Sequence, residues 1–396
     1  MKFNKWTLGL AAVGAVSLTS VAQAEEQMMV GSQAAAGLTS TTISGYVDTS
    51  AHWNIGSGNT NTPTGLGKKD GFNLNVVQVS LSKALDESEW ASGYRADLWF
   101  GPDANGLASN SAGAPTSDLA IRQAYVALRT PVGNGIDWKM GVFDTIVGYE
   151  TLESGNNPNY TRSFGFGLEP TTHTGLLGTY RFSDSVSVSG GLANTYGAQI
   201  NQRTPATGGG EDSKTIMGSV ALTAPSDWGW VAGSSLYLGA IHGYDVQTDT
   251  AIGNPTESDG TRDHYYAGIT LATPVAGMKV GAAFDYSHAK HVQSAAIAPT
   301  STVDNAYVYA LYASFQATEK LSLHGRAEYQ RQQDGGVAGQ PADRTEATLT
   351  AQYDLWKNVI SRAELRWDHA ENNTFDVNGG NAKNTYLAAL NLIYKF

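Results

Sequence analysis

Leu321-Ser322-Leu323-His324-Gly325-Arg326-Ala327-Glu328-Tyr329-Gln330 sorts cleanly at a period of two. Leu321, Leu323, Gly325, Ala327 and Tyr329 fall on one side, and Ser322, His324, Arg326, Glu328 and Gln330 on the other. Successive side chains of a strand point to opposite faces, whereas a helix would mix the two sets, so the stretch predicts a strand with one apolar and one charged face. The alternation recurs on both sides of it. Segment 307–316 sets Tyr307, Tyr309, Leu311, Ala313 and Phe315 against Val308, Ala310, Tyr312, Ser314 and Gln316. Segment 359–368 sets Ala363, Leu365 and Trp367 against Arg362, Glu364, Arg366 and Asp368. The final segment sets Tyr386, Ala388, Leu390, Leu392, Tyr394 and Phe396 against Leu387, Ala389, Asn391, Ile393 and Lys395, and stops on an aromatic. From Thr42 onward, such stretches of roughly ten to thirteen residues are separated by breaks rich in Gly, Asn, Asp or Pro.

A soluble sandwich also has one apolar face per strand, so three further features decide the environment. Strands of soluble domains usually run ~5 to 6 residues, whereas a tilted membrane-spanning strand needs ~9 to 11. These segments belong to the longer class. The breaks also alternate in length. Short ones lie near 86–89, 131–135, 183–185, 225–227, 274–277, 318–320 and 357–358, and long ones near 56–71, 102–117, 144–172, 197–213, 245–262, 289–304, 333–343 and 370–383. Bacterial outer-membrane barrels have short periplasmic turns and long external loops. Finally, Trp53, Phe100, Trp138, Phe182, Tyr265, Tyr286, Phe315, Trp367, Tyr394 and Phe396 fall toward strand ends, as interfacial girdles require. The predicted fold is therefore all-β: a transmembrane antiparallel up-and-down barrel of about 16 strands, within a range of 14–18, spanning 42–396. Hydrocarbon offers no water to satisfy a sheet edge, so the sheet must close. At that size the interior is too wide for strand side chains alone to fill.

The N-terminus agrees with export. Lys2 and Lys5, an apolar run from Trp6 to Leu18 and Ala22-Gln23-Ala24 before Glu25 predict a signal peptide over 1–24, followed by a flexible periplasmic lead-in over 25–41. Cysteine is absent, which removes disulfide scaffolds, thiol nucleophiles and thiolate metal sites. The formal charge of −11 argues against nucleic acid as a partner. His288 and His291 could meet Asp285 or Asp304, but a strand-to-loop junction does not aim them at one ion, so no metal and no cofactor is expected. Ser and His residues have no spacing that singles out a nucleophile and its base, so no catalytic residue is expected either.

The longest break, 144–172, is the candidate functional element, because a loop of that length inside a compact fold is usually functional or disordered. If it folds into the lumen, Asp144, Glu150, Glu153 and Glu169 place acid at a constriction, with Arg162 as an internal partner. Strand parity puts Arg95, Arg129, Lys139 and Arg181 on the opposing lumen wall. Acid facing base across a narrow aqueous pore makes a transverse field. Parity also points Asp48, Asp97, Asp137, Asp285, Glu328, Glu364 and Asp368 inward, so the sign of any ion preference stays open. Tyr46, Trp99, Tyr125 and Tyr312 are inward aromatics that a sugar track would use.

Met140-Gly141-Val142-Phe143, Gly148-Tyr149-Glu150, Asn159-Tyr160-Thr161-Arg162-Ser163, Glu169-Pro170 and His173-Thr174-Gly175, in that order, resemble the β-barrel porin-2 family of OmpL-like porins. The likeness extends loosely from Gly45-Tyr46-Val47-Asp48 to Tyr394-Lys395-Phe396. It implies an outer-membrane location in a Gram-negative bacterium and passive diffusion of small hydrophilic solutes and ions. The terminal Tyr394 and Phe396 resemble the membrane anchor and sorting signal read by the barrel assembly machinery. Expected surroundings are outer-membrane lipid and lipopolysaccharide. A homotrimer stays open, since an apolar outer wall suits lipid and a neighbouring barrel equally. Two other readings stand beside the channel: an adhesin or structural barrel whose external loops bind a partner, and an outer-membrane lipid hydrolase.

Overall fold

The computed structural model describes residues 41–55, 68–107, 117–201, 214–244, 261–293, 300–333, 343–371, 375–377 and 380–396. The expected signal peptide and, but for Thr41, the expected lead-in lie outside the described residues, as do the middles of most long breaks. The strands are β1 (Thr42–Ile55), β2 (Gly71–Lys83), β3 (Ser92–Phe100), β4 (Leu119–Thr130), β5 (Ile136–Asp144), β6 (Thr172–Ser183), β7 (Val186–Ala193), β8 (Thr215–Thr223), β9 (Ser235–Tyr244), β10 (Thr261–Ala272), β11 (Met278–Gln293), β12 (Thr300–Gln316), β13 (Leu321–Gln333), β14 (Asp343–Trp356), β15 (Val359–Ala370), β16 (Phe375–Val377), β17 (Gly380–Ala382) and β18 (Asn384–Lys395). β16 and β17 form a small separate hairpin. The other sixteen close a barrel in which each strand pairs antiparallel with its neighbours in sequence, β15 meets β18, and β18 meets β1.

The predicted parity sets the two faces. In β13, Arg326 and Glu328 are buried inside, while Leu323 and Tyr329 are exposed on the outer wall. In β15, Leu365 is 62 % exposed outside, whereas Arg362, Glu364, Arg366 and Asp368 are buried within. An apolar outer wall suits hydrocarbon, and the charged set is kept from it. Trp90, Phe182, Trp228, Trp230 and Trp356 stand exposed at the short-turn end, where amphipathic rings favour the headgroup layer.

Three breaks differ from the sequence expectation. The turn expected near 225–227 runs from the end of β8 to the start of β9. Ala224 N–H donates to the Ser234 carbonyl at 2.7 Å, and Gly229 and Gly233 take positive φ, so residues expected to begin the next strand wrap the turn. The break expected over 289–304 is shorter, because β11 and β12 keep pairing until Gln293 meets Thr300. Asp144 is the last residue of β5, paired with Thr172 of β6, so the long loop proper is 145–171.

Two bulges alter which side chains enter the lumen. Between Asp48 and Thr49 the register shifts by one residue, so Asn75 is the extra residue of β2, and both Asn75 and Val76 are buried inside. A second shift between Asp97 and Leu98 makes Arg122 the extra residue of β4, and Arg122 and Gln123 both reach Asp97, at 2.6 and 2.9 Å.

The seam closes through the last residue. Gly45 N–H donates to the Phe396 carbonyl and Phe396 N–H to the Gly45 carbonyl, each at 2.9 Å. A Cβ at Gly45 would run into the Gln78 carbonyl and the Phe396 ring. Gly45→Val should therefore lower the stability of the folded barrel by about 1–3 kcal/mol, the usual cost of overpacking. Urea titration of heat-modifiable gel mobility checks this, and an unchanged midpoint would show that the seam tolerates the methyl groups.

Candidate functional site: the loop inside the barrel

Loop 145–171 leaves β5, crosses the lumen and returns to β6. Its first turn carries Ile146, Val147 and Tyr149 into an apolar cluster with Tyr237, Ile241, Tyr266 and Tyr312, so inner-wall residues of β9, β10 and β12 are sealed by loop side chains. The Tyr149 and Tyr312 rings stack at 3.9 Å. Glycine makes the approach close: a Cβ at Gly281 of β11 would collide with the Tyr149 hydroxyl, and one at Gly239 of β9 with Val147.

Beyond Tyr149 the loop is held by charged wall residues, largely through its backbone. Glu364 accepts hydrogen bonds from Tyr160 N–H at 2.6 Å and Thr161 N–H at 2.9 Å, and Glu328 accepts one from Phe164 N–H at 2.9 Å. In the reverse sense, Arg362 donates to the carbonyls of Ser154 at 2.9 Å and Asn157 at 2.7 Å, and Arg366 to that of Arg162 at 2.7 Å. Arg326 donates to Glu150 at 2.6 Å, the Thr161 carbonyl at 2.8 Å and Glu346 at 2.8 Å, with no solvent exposure of its side chain or of either carboxylate. Buried backbone groups need partners, and the irregular loop finds them in the wall's side chains. A short helix α1 (Phe164–Leu168), capped by the Ser163 hydroxyl on Phe166 N–H, turns the chain back toward β6.

The expected acids are not gathered in one place. Glu150 is consumed by Arg326 on the far wall. Glu169 is half-buried beside Asp285 of β11, which also shares a hydrogen bond of 2.9 Å with His264. Only Glu153 and Asp144 lie at the basic wall. Glu153 meets Arg95 at 3.3 Å and Arg122 at 3.1 Å, and Asp144 meets Arg122 at 2.7 Å. Burial pushes the Glu153 carboxyl up, but Arg122 and Arg95 outweigh it and hold it below the ordinary glutamate value. Arg162 differs from its expected role as partner to the loop acids. Among the described residues it pairs with no carboxylate and donates instead to the carbonyls of Leu152 at 2.8 Å and Tyr160 at 3.1 Å.

The wall residues Arg95, Arg129, Lys139 and Arg181 face the lumen near the short-turn end. Arg129 and Arg181 grip Asp137 at 2.6 and 3.1 Å, Arg95 holds Asp97 at 2.8 Å, and Lys139 lies over the Tyr125 ring at 5.1 Å. Of the inward aromatics, Tyr46, Trp99 and Tyr312 are buried, so they form no exposed track, and Tyr125 alone of the four keeps partial solvent access. Parity reading misses Arg122, which carries the densest ion-pair set of this wall, because the bulge reverses the alternation at that residue.

The family model described as "Putative beta-barrel porin-2, OmpL-like" matches residues 40–396. The chain belongs to this family. It is thus an outer-membrane porin of the Gram-negative type. Among solved structures, this porin is similar to the outer membrane channel DcaP of Acinetobacter baumannii (TM-score 0.59, 12% identity, 90% of this chain and 97% of that one). It is also similar to an anion-selective porin from Comamonas acidovorans (0.57, 14%, 90% and 99%) and to OmpT of Vibrio cholerae in its trimer form (0.57, 13%, 90% and 99%). At these identities the likeness is one of fold. Among curated proteins none matches the chain.

The Glu169 contact predicts a pH dependence of loop docking. Burial and then the adjacent Asp285 push the Glu169 carboxyl well above its ordinary value of 4.5, with Glu150 and Glu328 adding to the effect. Because the folded value is raised, the stabilisation is complete below the unfolded value and is lost as pH rises through the folded one. Proteolytic cleavage within 145–171 should therefore accelerate with rising pH in the wild type, and Glu169→Gln should flatten that dependence. Equal pH profiles for the two would remove Glu169 from the docking equilibrium.

Proposed function

We propose that this porin is a passive diffusion channel for small hydrophilic solutes and ions, narrowed by loop 145–171 to an eyelet against β3–β6. The single observation that carries the reading is the uneven solvent access of the inner wall. Under the loop, Arg326, Glu328, Glu346 and Arg366 have side chains with 0% exposure. Against β3–β6, Arg95 keeps 35%, Asp144 32%, Arg129 22% and Arg181 21%. Arg122 and Asp97 of this wall are themselves buried, at 2% and 0%, so the water-accessible side chains there are Arg95, Asp144, Arg129 and Arg181, and solutes pass beside these.

In this reading the eyelet is lined by one mixed wall, in which Glu153 and Asp144 are ion-paired with Arg95 and Arg122, and Arg129, Lys139 and Arg181 continue it toward the short-turn end. The field a solute meets is that of this single wall, with no acidic rim facing it. The protein performs no catalysis. Its girdles sit in outer-membrane lipid and lipopolysaccharide, and Tyr394 and Phe396 serve as anchor and as the signal read by the barrel assembly machinery. Association into a homotrimer belongs to the same proposal, in keeping with the trimer form of the similar OmpT.

Single-channel recording in planar bilayers tests the channel. The wild type should give discrete conductance steps, and removal of residues 149–166, with folding verified by heat-modifiable mobility, should give larger ones. A folded wild-type barrel that stays electrically silent would sink the channel and favour an adhesin. Steps unchanged by the deletion would instead leave a channel whose narrowest point is elsewhere.

A further inference from the structure

Lys139 on the basic wall is a cation that makes no direct ion pair among the described residues. Asp97 is engaged by Arg95 at 2.8 Å and Arg122 at 2.6 Å, Asp137 by Arg129 at 2.6 Å and Arg181 at 3.1 Å, and Asp144 by Arg122 at 2.7 Å. Glu153 is taken by Arg95 and Arg122. Lys139, in register between Ala127 of β4 and Leu177 of β6, makes no ion pair among the described residues. Its ammonium rests over the Tyr125 ring, 5.1 Å from the centroid. Arg95, Arg122 and Arg181 are close enough to act on it, as is Asp144, which Arg122 already holds. An interior cation with limited hydration, repelled by neighbouring guanidiniums, gains from an anion more than a solvated surface lysine does. The flanking guanidiniums of Arg95 and Arg181 retain exposed surface, and a planar carboxylate suits their fork geometry.

We infer that Lys139, lying over the Tyr125 ring with Arg95 and Arg181 on the same inner wall, is a binding station for small organic carboxylates on their way through the channel. The inference rests on the channel reading and adds a substrate class to it. Cations meet the same wall as a barrier, while a carboxylate replaces part of its hydration shell with Lys139 and a guanidinium. Occupancy then holds the solute at the eyelet and excludes chloride from the same place. Neutral solutes of equal size gain nothing there.

The test is the chloride current through the wild-type protein as succinate is added, with glycerol as the neutral probe. Succinate should reduce the current along a saturating curve, and glycerol should change it only in proportion to viscosity. In Lys139→Gln the half-blocking concentration should rise by roughly tenfold or more, the scale of one lost charge-assisted hydrogen bond. Lys139→Met, which keeps the length of the stem, should behave alike. A wild-type channel that conducts but gives a linear, unsaturable response to succinate overturns the station, as does a variant blocked at the wild-type concentration. Should neither variant fold, the wild-type titration still decides the matter. Absence of any conductance from a folded wild-type barrel is a different result, and it overturns the channel reading itself.

Discussion

A sheet in hydrocarbon has nowhere to put an unpaired N–H or C=O, and the rest of this molecule follows from that constraint. It forces sixteen strands to close, and Gly45 completes the last pairing by letting Phe396 approach its backbone. Closure then divides every strand into a lipid face and a lumen face. The charges that hydrocarbon rejects are gathered inside, where they face one another across the lumen. A lumen lined in this way is both a solvent channel and a set of unused hydrogen-bonding groups.

Loop 145–171 uses those groups. Its backbone is irregular and could not stay buried against an apolar wall, because its amides and carbonyls would lack partners. Glu328, Glu364, Arg362 and Arg366 supply them, and each carboxylate that receives a loop amide has an arginine nearby on the same inner wall. The arginines on β13 and β15 thus join wall to loop as well as strand to strand. Breaking one such link would leave a buried charge without its partner, which costs far more than the link contributes when intact. This is why a long loop can hold one position inside a wide barrel.

The barrel itself was legible in the chain because its rule is local: period-two alternation in Leu321–Gln330 depends on neighbours alone. The alternating break lengths gave the strand count for the same reason. The site was legible only in part. Arg95, Arg129, Lys139 and Arg181 lie where parity puts them, but Arg122 does not, since one extra residue in β4 reverses the faces and nothing in Ile121-Arg122-Gln123 announces it. Nor could sequence pair Glu150 with Arg326, 176 residues away, because that contact depends on how far the loop reaches across the lumen. Counting acids in the loop suggested one acidic rim. The fold distributes them: Glu150 and Glu169 are spent on docking, and Glu153 is left at the basic wall.

The position of the proposed opening follows from where the loop is rooted. A segment that leaves the end of β5 and must re-enter at β6 can reach the opposite wall only by arching away from its own roots. It therefore covers the inner faces of β9–β15, β18 and β1, also packs on Phe143 and Leu177 at its roots and reaches β2–β4 through Glu153, and leaves the short-turn end of β4–β6 clear. That uncovered wall carries Arg129, Asp137, Lys139 and Arg181, with Arg95 one strand further along. The solvent access retained by these residues is thus a consequence of connectivity. In the proposed channel, selectivity would then reside in Arg95, Arg129, Lys139 and Arg181, the basic inner-wall side chains of β3–β6 that keep solvent access beside the loop.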